Sequence, residues 1–320
     1  MRKLARLILL LSLCFEASFV AAQLVPSEVE SVQFLSTFGS QADTKWGDDD
    51  FSQVFFFVVP SARKDPFYIR VFDPDCGGKI DEAKGTFNTK TRFAVYGGKG
   101  AFSHPDSKKV DPERNYKAGT MLASKVFGVN ASTDNKWYSF GPFNASEGEV
   151  LPGTNSMVFK LITDGVTGDD GNLYKYFLSS SELSNNPVVG GNAFTYEYSM
   201  RLTSEKGSVT HIYPFIDNSV VSIIQNNFDA DDDLQILLYS VVKNRHPGKV
   251  SGENNWAKST HRVMRSERNT SIDLQLIKKS SFDNDVVLYI TNQYNEPIPF
   301  YSVPIGGPPK LKYNVKVDVD

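Results

Sequence analysis

Ten aspartates fall in four short turns, and their spacing is the feature of this chain best suited to chemistry. Asp73, Asp75 and Asp81 stand at positions one, three and nine of a loop that also holds Gly77-Gly78. Asp229, Asp231 and Asp233 stand at positions one, three and five of Asp229-Ala230-Asp231-Asp232-Asp233. Asp169-Asp170 and Asp283-Asn284-Asp285 form two further acidic turns. A hard cation such as Ca²⁺ takes about six to eight oxygen ligands, and alternate carboxylates in a tight loop can converge on one ion. The spacing therefore predicts Ca²⁺ as the cofactor. Neither run completes an EF-hand, because Leu234 stands where the turn glycine belongs and Ser240 where the bidentate glutamate belongs. Further ligands must come from neighbouring loops: Asp169, Asp170 and Asn172 for the first run, Asp283 and Asp285 for the second. A plainer reading stands beside this one. Asp and Asn also populate turns because they tolerate turn backbones and bond their own main chain.

The elements that deliver these turns read as strands. Val54-Phe55-Phe56-Phe57-Val58-Val59, closed by Pro60, is a continuous apolar run suited to a strand covered on both faces. Residues 271–277, 286–291 and 194–200 read as strands too. In the tail Leu311, Tyr313, Val315, Val317 and Val319 alternate with polar residues, the period-two pattern of a half-buried strand. Gly- and Pro-rich turns separate the runs. Helical signal is scarce: one short element is expected from Ser27, with Glu30 as its capping-box partner and Val29, Val32 and Leu35 near one face. The expected class is all-β, with antiparallel sandwiches instead of an α/β core.

The two halves share landmarks in one order. Phe67 to Asp75 is an apolar run ending in Phe-Asp-x-Asp, as is Val221 to Asp231. Each is followed by an alternating run ending in Tyr96 or Tyr239, then by Asn135-Lys136-Trp137 or Asn255-Trp256. An apolar strand (158–162 or 272–277), an acidic turn and a Leu-Tyr pair (Leu173-Tyr174 or Leu288-Tyr289) complete each set. This predicts two tandem β-sandwich domains, 23–185 and 186–320, with the boundary between Ser179 and Asn192. One large sandwich of look-alike strands is the alternative.

The first 22 residues have a basic start, an apolar stretch from Leu7 to Phe15 and Val20-Ala21-Ala22, the layout of a secretory signal peptide. Glu16 leaves the stretch too short for a membrane span, and no later stretch is long enough for one. Leu11-Ser12-Leu13-Cys14 is similar to a lipoprotein box, but bulky Leu13 stands where a small residue belongs. Loss of the leader would leave Cys76 as the single thiol, with no internal disulfide; a core of about 300 residues does not need one. A net charge of −3 with dispersed basic residues gives no footprint for nucleic acid. A soluble, exported chain is expected, in the bacterial periplasm or at the cell surface, with a protein or glycan partner there.

Other motifs carry less. His104, His211, His246 and His261 are scattered without zinc-site spacing, so structural or surface roles are expected. Gly97-Gly98-Lys99-Gly100 lacks the Ser/Thr and helix of a phosphate loop and reads as a hairpin turn. No Gly-x-Ser-x-Gly elbow is present. Carboxylates beside Cys76 should raise its pKa, which argues against a catalytic thiolate. Trp137, with Tyr138, Phe140 and Phe143, is the aromatic stretch to examine for sugar stacking, against core packing. Asn130, Asn144 and Asn269 begin glycosylation triplets.

Asp50 to Pro60 followed by Tyr68-Ile69-Arg70-Val71-Phe72-Asp73-Pro74-Asp75 resembles the start of pre-peptidase C-terminal-like domains, jelly-roll modules of secreted bacterial proteins. The likeness spans about thirty residues, and Arg63-Lys64-Asp65-Pro66 departs from the glycine usual there. C2-like sandwiches, which also place aspartates at strand-end loops, are as similar. The first resemblance implies an accessory, non-catalytic sandwich that can bind Ca²⁺, and neither implies a catalytic residue. The expected function is thus an exported, non-catalytic module for binding a ligand or partner. A pair of carbohydrate-binding modules and a secreted glycosidase are the alternatives.

Overall fold

The computed structural model describes residues 23–108, 110 and 116–312. The leader therefore lies outside the described residues, and so does all of the alternating tail except Leu311 and Lys312, which are not in a strand.

Strands dominate, as alternation and β-branched or aromatic content require. In the first half eight of them form two sheets: β1 (Phe34–Phe38), β2 (Ser52–Pro60), β3 (Phe67–Phe72), β4 (Lys90–Gly97), β5 (Thr120–Phe127), β6 (Trp137–Phe143), β7 (Ser156–Thr167) and β8 (Gly171–Ser179). The second half repeats the set with β9 (Glu197–Leu202), β10 (Val209–Ile212), β11 (Ser222–Phe228), β12 (Leu234–Tyr239), β13 (His246–Gly248), β14 (Trp256–Arg262), β15 (Asp273–Lys278) and β16 (Asn284–Asn292). The sheet orders are β1-β8-β3-β6 and β2-β7-β4-β5 in the first half, and β9-β16-β11-β14 and β10-β15-β12-β13 in the second. Every strand n of the first half has strand n+8 in its place in the second, and each half is an eight-stranded antiparallel jelly roll.

Backbone pairing joins the halves. β1 and β9 are antiparallel neighbours with Leu35 opposite Met200 and Phe34 opposite Arg201, so one sheet runs through both units. In the other layer Asn192–Thr195 adds to the edge of β2. Gln53 crosses between the layers at this seam: its amide nitrogen donates to Ser36 O, Tyr174 Oη and Ser199 O, and its oxygen accepts the Ser199 amide. The apolar core is also continuous, with Tyr198 of β9 against Phe55 of β2 at 5.5 Å and stacked on Phe300 at 5.9 Å.

β2 is covered on both faces. Phe55, Phe57 and Val59 enter the main core, while Phe56 and Val58 pack with Phe102, Phe194 and Tyr196 on the other side. The expected N-terminal helix is a single 3-10 turn, Glu28–Glu30, with the Ser27–Glu30 capping box present. Leu35 belongs to β1 instead, because the chain turns at Ser31 (φ 54°) and joins the sheet. Two expected strands are each interrupted by one residue, at Tyr196 and at Ile272.

Candidate functional site: the acidic strand ends and the cleft between the halves

The repeat explains the shared landmarks. Phe72 closes β3, and Asp73 turns the chain with a positive φ of 54°. Its Oδ1 accepts the Asn135 amide at 2.8 Å, and its own amide donates to Lys136 O at 2.9 Å. Asp229 does the same after β11: φ is 55°, its Oδ1 accepts the Asn254 amide, and its amide donates to Asn255 O at 3.3 Å. Both donating asparagines, Asn135 and Asn254, also have positive φ. Beside each staple sits an aromatic triplet, Phe72, Trp137 and Phe177 in one half and Phe228, Trp256 and Tyr289 in the other. Phe177 faces Arg70 and Tyr289 faces Asn226, each two residues before the Phe-Asp corner, so these two are equivalent. The Leu-Tyr landmark consequently lies on equivalent strands but is out of register by three residues.

The other aspartates divide by partner. Asp75 accepts the Asn130 amide at 3.0 Å. Asp81 accepts the Gly77 and Leu173 amides at 2.6 and 2.7 Å. Asp170 accepts from Lys84, Asn88 and Thr89, all backbone amides, and the Asp169 amide donates to Asn88 Oδ1. Asp231 accepts Asn284 Nδ2 at 3.2 Å. Asp233 is ion-paired with buried Lys278, and Asp285 with Arg201, which also holds Glu82. Asp283 stays exposed.

Several oxygens are left over. Asp73 Oδ2, Asp75 Oδ1 and Asn172 Oδ1 are buried with no hydrogen-bond partner among the described residues, on side chains exposed by 0, 1 and 0 %. They share one corner, since Asn172 Nδ2 donates to Pro74 O between the two aspartates. In the second half Asn284 Oδ1 is likewise buried and partnerless. Asn172 and Asn284 are equivalent, each three residues before the residue paired with Phe72 or Phe228. Each corner thus combines Asp-x-Asp with an asparagine from the adjacent strand. Burial pushes Asp73 and Asp229 up to about 7, their aspartate neighbours add to this, and the bonds from Asn135 and Asn254 oppose it. Burial likewise lifts Asp81 to about 8. The Cys76 thiol is raised by burial and then by the surrounding carboxylates, as the sequence led us to expect.

A cleft of about 500 Å³ lies between the acidic corner of the second half and the loop of the first half that carries Asp81. Asp81, Asp229, Asp231, Asp283 and Asp285 line it, so five of the ten expected residues come together there. Asp73, Asp75, Asp169, Asp170 and Asp233 do not line it. Trp46 contributes an aromatic wall, with Lys84 Nζ 4.1 Å above its ring. Trp137 is half-buried, packed on Phe72 and covered by the Arg70 guanidinium at 5.3 Å.

One acidic group escaped the sequence reading. Asp48, Asp49 and Asp50 present carboxylate oxygens that all lie within 4.8 Å of one another. Asp48 accepts the Phe38 and Phe51 amides, while Asp50 Oδ2 is buried without a hydrogen-bond partner among the described residues. Burial, then Glu197 of the other half, then Asp48 and Asp49 push the Asp50 carboxyl well above its ordinary range. The run of three aspartates before β2 was the available signal; Glu197, nearly 150 residues away, gave none.

Comparison with known proteins adds little to this geometry. No family model and no curated protein matches the chain. Among solved structures, infectious bursal disease virus of the Gx strain is 12 % identical over 83 % of this chain and 73 % of that one, with a TM-score of 0.16. The VP2 subviral particle of the same virus is 10 % identical over 89 % and 80 %, with a TM-score of 0.14.

Proposed function

We propose that this chain is an exported, non-catalytic binding module whose acidic strand ends hold Ca²⁺ and brace the cleft between two jelly rolls for a ligand or partner. The observation that carries the reading is the set of buried oxygens without donors, Asp73 Oδ2, Asp75 Oδ1 and Asn172 Oδ1, with Asn284 Oδ1 at the equivalent place in the second half. A buried acceptor left unpaired costs about 1–3 kcal/mol. A hard cation takes about six to eight oxygen ligands and can satisfy several such oxygens together. The partner would be a protein or glycan at the cell exterior, and the cleft offers it an aromatic wall beside carboxylates.

Calorimetry and thermal unfolding with millimolar Ca²⁺ test the reading. At a hundred times its dissociation constant the ion should stabilise the fold by about 2.7 kcal/mol. Asp75→Asn and Asp231→Asn should each reduce the response. Absence of both heat and a melting shift in the unaltered protein would overturn it.

A further inference from the structure

We propose that the open edge of the second jelly roll binds a divalent transition-metal ion of the imidazole-preferring group, Zn²⁺, Cu²⁺ or Ni²⁺, through His246 and His261. The site is separate from the acidic corners and does not depend on them.

β13 and β14 are the outer strands of the two facing sheets, and the sandwich closes between them. His246 begins β13 and His261 lies near the end of β14, with ring centroids 5.2 Å apart. Two imidazoles bound to one ion through a nitrogen about 2.0–2.1 Å from it, at a tetrahedral angle, hold their rings at much this separation. His261 is 3 % exposed, and neither ring nitrogen has a hydrogen-bond partner among the described residues. Gln225, fully buried, has neither its amide nitrogen nor its oxygen partnered among the described residues.

These groups share one region. Ile223 pairs with His261 and Gln225 with Ser259, so Gln225 and His261 point from the same face on a cross-strand diagonal. A Cβ added at Gly248 would lie 2.8 Å from Gln225 Oε1, so the amide reaches β13 two residues from His246. Four polar atoms without partners at one sheet edge are costly, and the sibling jelly roll does without them. There Phe143 of β6 stands opposite Phe67 as His261 stands opposite Ile223, packed on the Phe67 ring at 5.8 Å and on Phe159 at 6.2 Å. Packing alone is therefore met by aromatic rings, and the histidines supply something packing does not require.

Ligand chemistry agrees. A neutral imidazole is the ligand form, and burial, with His246 and Lys243 nearby, lowers His261 to about 4. Lys243 does not oppose an ion with a free charge, because Glu267 holds it at 2.6 Å. His246 is exposed and gives the ion an entry path. Water can fill the remaining positions.

The test uses the full chain without a histidine tag. Cu²⁺ should bind with one equivalent by calorimetry, and its paramagnetic resonance spectrum should show nitrogen coupling. His246→Ala, at an exposed position, should abolish that equivalent while leaving the melting temperature of the metal-free protein unchanged. His261→Phe, which copies the aromatic closure of the first half, should also abolish it. Addition of about 5 mM Ca²⁺, several times the weakest dissociation constants of extracellular calcium modules, should not displace the copper. No uptake by the unaltered protein, or equal uptake by His246→Ala, would overturn the proposal.

Discussion

The Tyr198 hydroxyl donates to Glu30 Oε1 at 2.6 Å, and this bond ties the N-terminal turn of the first half to the first strand of the second. Glu30 is completely buried, and its other oxygen accepts the Ser27 amide at 2.7 Å and the Ser27 hydroxyl at 3.0 Å. Burial outweighs these bonds and raises the carboxyl to about 7.

A raised carboxyl makes stability depend on pH with a definite sign. Between about pH 4.5 and 7 the folded protein keeps the Glu30 proton and the unfolded chain releases it. Stability should therefore be fully present below pH 4.5, fall as pH rises to 7, and level off above. The span of about 2.5 units corresponds to roughly 3 kcal/mol. Asp73, Asp81 and Asp229 act in the same direction, so the comparison must be with Glu30→Gln, which mimics the protonated acid. Urea unfolding across this range should give a shallower slope for the variant. An unchanged slope would remove the assignment.

Gln53 should be the costliest single polar group at the seam. Its side chain makes four hydrogen bonds to Ser36, Tyr174 and Ser199, and it is 3 % exposed. Gln53→Ala strands several buried partners, each worth about 1 kcal/mol or more, so a loss of about 3 kcal/mol is expected. Chemical denaturation measures it. A loss below about 1 kcal/mol would mean that the halves do not rely on this bridge.

The equivalent turns should respond alike. Asn135 and Asn254 adopt φ of 56° and 52°, and each offers its amide to the staple aspartate. Asn→Ala at either position should cost about 1 kcal/mol, because a left-handed backbone disfavours Ala. Asn→Gly should cost less, since glycine adopts this conformation freely. Equal Ala and Gly effects would show that strain at the turn is not what the asparagine relieves.

These cases mark how far the sequence could be read. Strand alternation exposed the all-β class, and the Phe-Asp landmark with Asn135-Lys136-Trp137 and Asn255-Trp256 exposed the duplication, although Asn254 and not Asn255 is the equivalent of Asn135. The Leu-Tyr landmark misled by three residues, since Leu173-Tyr174 and Leu288-Tyr289 look alike but face different partners. The aspartates showed their turns but not their partners. Whether Asp170 meets the amides of Lys84, Asn88 and Thr89 depends on which loop the topology lays beside it. The meeting of Asp50 with Glu197, and of His246 with His261, is likewise a product of sheet order.

Arg201 provides the sharpest test of how the cleft is held. It is 7 % exposed and bonded through its guanidinium to Asp285, itself 6 % exposed, and to the more accessible Glu82. The Arg201 charge is strengthened against the loss of solvent by these two carboxylates, while burial raises the Asp285 carboxyl in spite of Arg201. Arg201→Met leaves Asp285 buried without its counter-charge and should destabilise by about 3–5 kcal/mol. Pairing it with Asp285→Leu removes the stranded charge and should recover much of that loss, because the two side chains act as one unit. Glu82, still partly in water and ion-paired to Lys84, should tolerate the change. If the double variant is as unstable as the single, the loss comes from cleft packing around β9 and not from an orphaned carboxylate.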